Sequence, residues 1–127
     1  MKKILSLILI VVLSLSLFSL ASAEMVDGTG KVVGIATQHM GNAWNKNCVQ
    51  AVKDTLEPLG FTVEHQDGGG STAQQVAAVE NFVTKKVDYI IVAGGEGGAF
   101  NSVSVQAKEA GIPVIGVDMF LDGAITG

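Results

Sequence analysis

The 127 residues carry eight lysines, no arginine and twelve acidic side chains, a formal charge of −4, with 48% hydrophobic and 16% charged residues. A basic surface that tracks phosphates is therefore excluded, so nucleic acid is not an expected partner, and the length allows one domain. A single cysteine, Cys48, excludes an intrachain disulfide.

The chain opens with Met1-Lys2-Lys3, then an almost wholly apolar run from Ile4 to Leu20, then Ala21-Ser22-Ala23. A positive start, an apolar core and an A-x-A site predict a secretory signal peptide over residues 1–23, cleaved before Glu24. The alternative for this stretch is an uncleaved anchor, since about seventeen apolar residues just reach across a bilayer. Cleavage removes two of the eight lysines and none of the twelve acids, leaving residues 24–127 as an exported domain of charge −6. A bacterial periplasm is the simplest destination.

Residues 24–30 form a polar lead-in. Val32 to Thr37 is a short apolar run without alternation, the pattern of a strand buried on both faces. A polar loop from Gln38 to Gly41 follows, with Asn42 placed to cap a helix over residues 43–59. Trp44, Cys48, Val52 and Leu56, with Ala51, Thr55 and Leu59 beside them, are expected to draw its apolar stripe. Pro58 and Gly60 end it. Phe61 to His65 alternates, which predicts a strand at or near a sheet edge. After the glycine-rich loop at residues 66–70, Ser71 and Gln74 match a capping box and start a second helix. Val76, Val79, Phe82 and Val83 line its expected inner face. Val87 to Ala93 predicts a third strand, residues 94–98 a glycine-rich turn, and Phe100, Val103, Ala107 and Ala110 a third helix. Gly111-Ile112-Pro113 then leads into a fourth strand, Val114 to Val117. Four strands alternating with three helices predict an α/β fold, a parallel sheet with helices on both faces and right-handed crossovers.

No catalytic set stands out. The turn at Gly94 to Gly98 lacks the Gly-Lys-Ser/Thr ending of a phosphate loop, and Glu96 would repel phosphate. His39 and His65 have no ligand partners at metal spacing, so no metal and no cofactor are expected. His39 reads either as a loop group facing a ligand or as a solvated residue, and Trp44 either as core or as a stacking ring. What does converge is a rim. In a parallel sheet, Gln38 to Trp44, Asp67, Gly94 to Glu96, and Asp118-Met119 all follow the carboxyl ends of strands. An aromatic ring beside carboxylates and amides suits a sugar, with Gly94 and Gly95 allowing close approach of backbone to an uncharged polar ligand.

GNAW after the first strand, Ser71 to Gln75 leading through a helix to KKVDYIIVAGG, and AKEAGIPVIGVDM together resemble the N-terminal lobe of type I periplasmic sugar-binding proteins of ABC transporters, the ribose-binding-like family. The resemblance covers Lys31 to Gly123. It implies a sugar-binding module rather than an enzyme, with a small-molecule sugar and a membrane permease as partners. It implies that Asn42 is the loop polar residue, Trp44 the stacking aromatic and Asp118 the group that binds sugar hydroxyls. The expected ligand-binding set is Gln38, His39, Asn42, Trp44, Gly94, Gly95, Asp118 and Met119. Met119 stands where the family often has arginine, and Ala93-Gly94 where an asparagine often ends the third strand. Family members trap ligand against a second lobe, so residues 24–127 are expected to be one truncated lobe. A stand-alone remnant lobe acting as an interaction scaffold is the other reading.

Overall fold

The computed structural model describes residues 26–119 and 121. The signal-peptide expectation for residues 1–23 lies outside them. The four strands are β1 (Val32–Thr37), β2 (Thr62–Asp67), β3 (Tyr89–Ala93) and β4 (Val114–Val117), and the helices between them are α1 (Ala43–Leu56), α2 (Thr72–Lys85) and α3 (Asn101–Glu109). All neighbouring strands are parallel, in the order β2-β1-β3-β4. The chain thus moves outward from β1 to β2, crosses back over β1 to β3, and continues to β4. That reversal puts α1 on one face of the sheet and α2 and α3 on the other.

The register fixes where the strands end. Thr37 lies opposite Asp67 of β2 and Ala93 of β3, and Ala93 lies opposite Val117 of β4. Four carboxyl ends therefore finish in one row.

The face under α2 and α3 holds the main core. Ile90, Val92, Ala36 and Val114 meet Ala78, Val79 and Phe82 of α2 and Val103 and Ala107 of α3, with Phe100 from the turn before α3. Phe82 and Phe100 are fully enclosed. Gly34 makes room for this packing, because a Cβ there would lie 2.5 Å from the Phe82 ring. The opposite face is smaller. Val33, Ile35 and Ile91 meet Val49 of α1, with Cys48, Val52, Leu56, Phe61, Val63 and Val117 partly buried around them. Burial pushes the Cys48 thiol up from its ordinary value, as a small hydrophobe at a packed surface should behave.

Several expectations hold and several shift. β1 and β4 have the expected bounds, and β2 is an edge strand. β2 runs to Asp67 rather than stopping at His65, because pairing with β1 continues through Ala36 and Thr37. β3 starts at Tyr89, since Val87 still bonds back to Phe82 at the end of α2 and Asp88 is held beneath β1. The Asp88 carboxylate accepts from the Val32 amide and from the Lys31 ammonium, both at 2.8 Å. The first helix turns to a tighter 3-10 turn at Glu57–Leu59, where Pro58 sits.

Its apolar stripe is rotated from the expected one. Asn45 and Val49 are the buried positions and Cys48, Val52 and Leu56 flank them, while Trp44, Ala51 and Thr55 face out. The capping box on α2 is half formed: Ser71 Oγ accepts from the Gln74 amide, but the Ser71 amide donates to the Gly68 carbonyl instead of to Gln74.

Candidate functional site: the carboxyl-end rim

The strand order changes direction between β1 and β3, so the segments leaving their ends run to opposite faces, which is where open α/β sheets place their ligand crevices. Most of the expected set lies in the segments that follow β1, β3 and β4. Gln38 continues β1: its amide donates to the Ala93 carbonyl at 3.2 Å and its carbonyl accepts from the Gly70 amide at 2.9 Å. The Gln38 side-chain oxygen comes within 3.8 Å of where a Cβ on Gly94 would be. β1 and β3 are thus joined at the rim by the Gln38 backbone, with its side chain close to Gly94.

His39 closes the turn onto α1. Its Nδ1 accepts from the Gly41 amide at 3.1 Å and its carbonyl accepts from the Asn45 side chain. Asn42 caps the helix with its Oδ1, which accepts from the Asn45 amide at 2.8 Å, so its acceptor is committed while the exposed side-chain NH2 group faces solvent. Trp44, one residue into the first full turn, is 44% exposed. The ring is not core. It is a partly exposed apolar surface in the first turn of the helix that follows β1.

At the end of β3, Gly94 and Gly95 both take positive φ, 69° and 107°. The Gly94 amide donates to the Val117 carbonyl at 3.1 Å, which ties the turn to β4. Asp118 leaves β4 with φ at 60°, left-handed backbone that aspartate tolerates better than most residues. Its side chain is exposed, so the carboxylate needs no protein partner, contrary to what its apolar neighbours in sequence suggest. Met119 is placed elsewhere. Its side chain is partly buried, packed on the α2/α3 core beside Gly116. Asp67, on the outer strand, spends one oxygen on the Gly69 amide at 2.9 Å. β1 and β4 are separated by β3 alone, so their ends stand about 10 Å apart.

Two residues beneath this rim lie outside the expected set. Asn45 and Gln75 are both buried. The Gln75 Nε2 lies 2.9 Å from the Gly94 carbonyl and 3.3 Å from the carbonyls of Ala36 and Ala93. The side-chain oxygens of both residues have no partner among the described residues. A signal was present for Gln75: with Ala78, Val79 and Phe82 it forms an i, i+3, i+4, i+7 set, and a polar side chain inside such a stripe must find polar partners.

Below the rim, His65 on β2 shares a 2.9 Å hydrogen bond with the buried Thr37 hydroxyl. Burial lowers its pKa from the ordinary 6.5, against a smaller opposing pull from the Asp67 charge. The carboxylates of Asp67, Glu96 and Asp118 all follow strand ends. Such a rim accepts hydrogen bonds from neutral hydroxyl donors and disfavours anions.

A doubly wound parallel lobe with its open groups at the topological switch point defines a class: α/β proteins that hold a small ligand outside the carboxyl ends of their strands. Within that class, the family described as periplasmic binding protein domain matches residues 33–126, and the chain belongs to it. It is 29% identical over 110 residues to the galactofuranose-binding protein YtfQ of Escherichia coli, covering 87% of this chain and 35% of that protein. With the multiple sugar-binding periplasmic receptor ChvE of Rhizobium radiobacter it shares 30% identity over 122 residues, 95% of this chain and 33% of that one. Among solved structures, a periplasmic solute-binding protein from Actinobacillus succinogenes with bound D-allose superposes with a TM-score of 0.67 at 30% identity, covering 73% of this chain and 33% of that chain. The chain spans about a third of the length of the curated relatives it matches.

Proposed function

We propose that this chain is the first lobe of the substrate-binding component of an ABC-type sugar importer, and that it takes a monosaccharide-like ligand at the carboxyl ends of β1, β3 and β4. The observation that carries this reading is the single row in which Thr37, Ala93 and Val117 end their strands, within a family whose relatives are sugar-binding proteins. On this reading the Trp44 ring stacks on the C–H face of the sugar. Asp118 accepts from ring hydroxyls, the Asn42 side-chain NH2 group donates, and Gln38, His39 and the Gly94–Gly95 turn line the floor. Residues 1–23 direct export to the periplasm and are removed there, and the loaded full-length protein delivers the sugar to a membrane permease.

A longer protein supplies the opposite wall. Two features support the fragment reading: the chain spans about a third of its relatives, and on the sheet face beyond α1 the described residues leave Ile115 47% and Tyr89 38% exposed. A site with one wall leaves most of a sugar wet, whereas tight small-molecule sites bury most of their ligand. The lobe alone therefore binds monosaccharides with a Kd of about 1 to 30 mM. Trp44 is the single tryptophan, so its emission reports the site. Titration with aldoses to about 100 mM, some hundredfold above that Kd at most, shifts the emission if the reading is right. No response to any aldose removes the sugar site, and micromolar affinity removes the half-site argument.

The same bare face favours a second reading, an interaction scaffold that self-associates without binding sugar. Light scattering separates them: a dimer whose Trp44 emission ignores sugars supports the scaffold.

A further inference from the structure

We propose that Gln75 is the positioning residue of the rim: it clamps the Gly94 carbonyl inward and thereby turns the Gly95 N–H outward as a fixed backbone donor for a ligand oxygen. The ligand half of this statement rests on the binding reading above; the orientation half does not.

Gln75 sits in the first turn of α2, fully enclosed, at the level where β1 and β3 end. Its side-chain amide has two hydrogens and three carbonyls within reach. The shortest approach, 2.9 Å, is to Gly94, and the Ala36 and Ala93 carbonyls lie farther off at 3.3 Å each. One side chain from α2 therefore ties the ends of both central strands to the turn that follows β3.

The consequence follows from peptide planarity. In a trans peptide the carbonyl of one residue and the N–H of the next point in opposite directions. With the Gly94 carbonyl held against Gln75, the Gly95 N–H faces away from the core, and no acceptor for it exists among the described residues. Glycine is required on the clamped side as well. A Cβ on Gly95 would lie 2.6 Å from Gln75 Oε1, and φ there is 107°.

The amide is not there for packing. Its Oε1 is buried without a donor, a penalty that methionine, of similar volume, would avoid. What methionine could not do is donate to Gly94. The nearest groups fit this division: the unpartnered Asn45 oxygen and the Gln38 side-chain oxygen lie 3.7 and 3.8 Å from a Cβ on Gly94. Both are acceptors, and the Gly94 N–H is already given to Val117, which leaves the Gly95 N–H as the free donor of the turn among the described residues.

Hydrogen exchange on the 15N-labelled, ligand-free protein tests the orientation directly. The Gln75 side-chain protons are expected to exchange at least about a hundredfold more slowly than those of exposed glutamines, and the Gly95 amide within about tenfold of an unstructured peptide. A protected Gly95 amide or a freely exchanging Gln75 side chain overturns the proposal. The second arm is Gln75→Met titrated with D-glucose and D-galactose. The sugar-induced shift of the Gly95 amide is expected to drop at least about fivefold while the Trp44 indole shift stays; an unchanged Gly95 response overturns the proposal. If that variant does not fold, Gln75→Glu takes its place. Burial among three carbonyls raises the pKa of this carboxyl; protonated it donates to Gly94 and ionised it has no donor, so the Gly94 and Gly95 signals are sharp in acid and broaden as the pH is raised through its pKa. A merely structural role gives no such dependence. A wild-type Trp44 indole that ignores both sugars sinks the sugar reading, while the exchange pattern still decides the orientation.

Discussion

The two faces of the sheet are built from the same strands yet finished differently. Under α2 and α3, Ile90, Val92, Val114, Phe82 and Phe100 are enclosed. On the other face α1 packs on Val33, Ile35 and Ile91, while Tyr89 of β3 and Ile115 of β4 stand exposed. Val114 and Ile115 make the contrast within one strand: 2% exposed on the closed face, 47% on the open one. Alternation along a strand puts neighbours on opposite faces, so the difference lies in what covers each face and not in the sequence of β4. The closed face holds the lobe together. Among the described residues nothing encloses Tyr89 and Ile115 on the open face.

This comparison can be broken by measurement. Phe82→Ala removes the largest enclosed side chain and is expected to cost about 3–5 kcal/mol by denaturant unfolding, enough to unfold a marginal lobe. A loss under about 1 kcal/mol would mean that the closed face is not the principal core. Gly34→Ala forces a methyl 2.5 Å from the Phe82 ring and is expected to destabilise by about 1–3 kcal/mol through overpacking. The sharper test pairs neighbours: Val114→Ala should cost about 2 kcal/mol and Ile115→Ala within about 0.5 kcal/mol. Equal losses would show that the open face is covered in solution, by a second copy or by another segment.

The smallest effect concerns pH. His65 has a folded pKa below 6.5 because burial disfavours its charged form. The unfolded chain therefore binds the proton more tightly. Stability is complete above pH 6.5 and falls as the pH drops below it toward the folded value. Unfolding followed from pH 7.5 to 5 should show this decline, and His65→Gln should flatten it.

Much of the fold was legible because the sequence signals are local. The apolar run Val32 to Thr37, the Asn42 and Ser71 caps and the Ile112-Pro113 lead into β4 each carry their own chemistry. The rotation of α1 was not legible from the spacing of Trp44, Cys48, Val52 and Leu56. A step of four residues advances about 40° too far on a helix of 3.6 residues per turn, so that set drifts around the surface. The set that faces inward, Asn45, Val49, Val52 and Leu56, begins with a polar residue and so hides its register. Gln75 was obscured for the same reason. In the rim, the strand-end rule put Gly94, Gly95 and Asp118 directly after β3 and β4, but it could not tell that the Met119 side chain would pack partly on the core.

The central claim is that the carboxyl ends of β1, β3 and β4 form the working surface of this lobe. Mapping amide shifts of the 15N-labelled protein against a monosaccharide series tests it most directly. Perturbations gathered at residues 38–44, 94–96 and 118 are the predicted result. Shifts gathered instead at the amino-terminal edge near Lys31 and Asp88, or across Tyr89, Ile91 and Ile115, would contradict it.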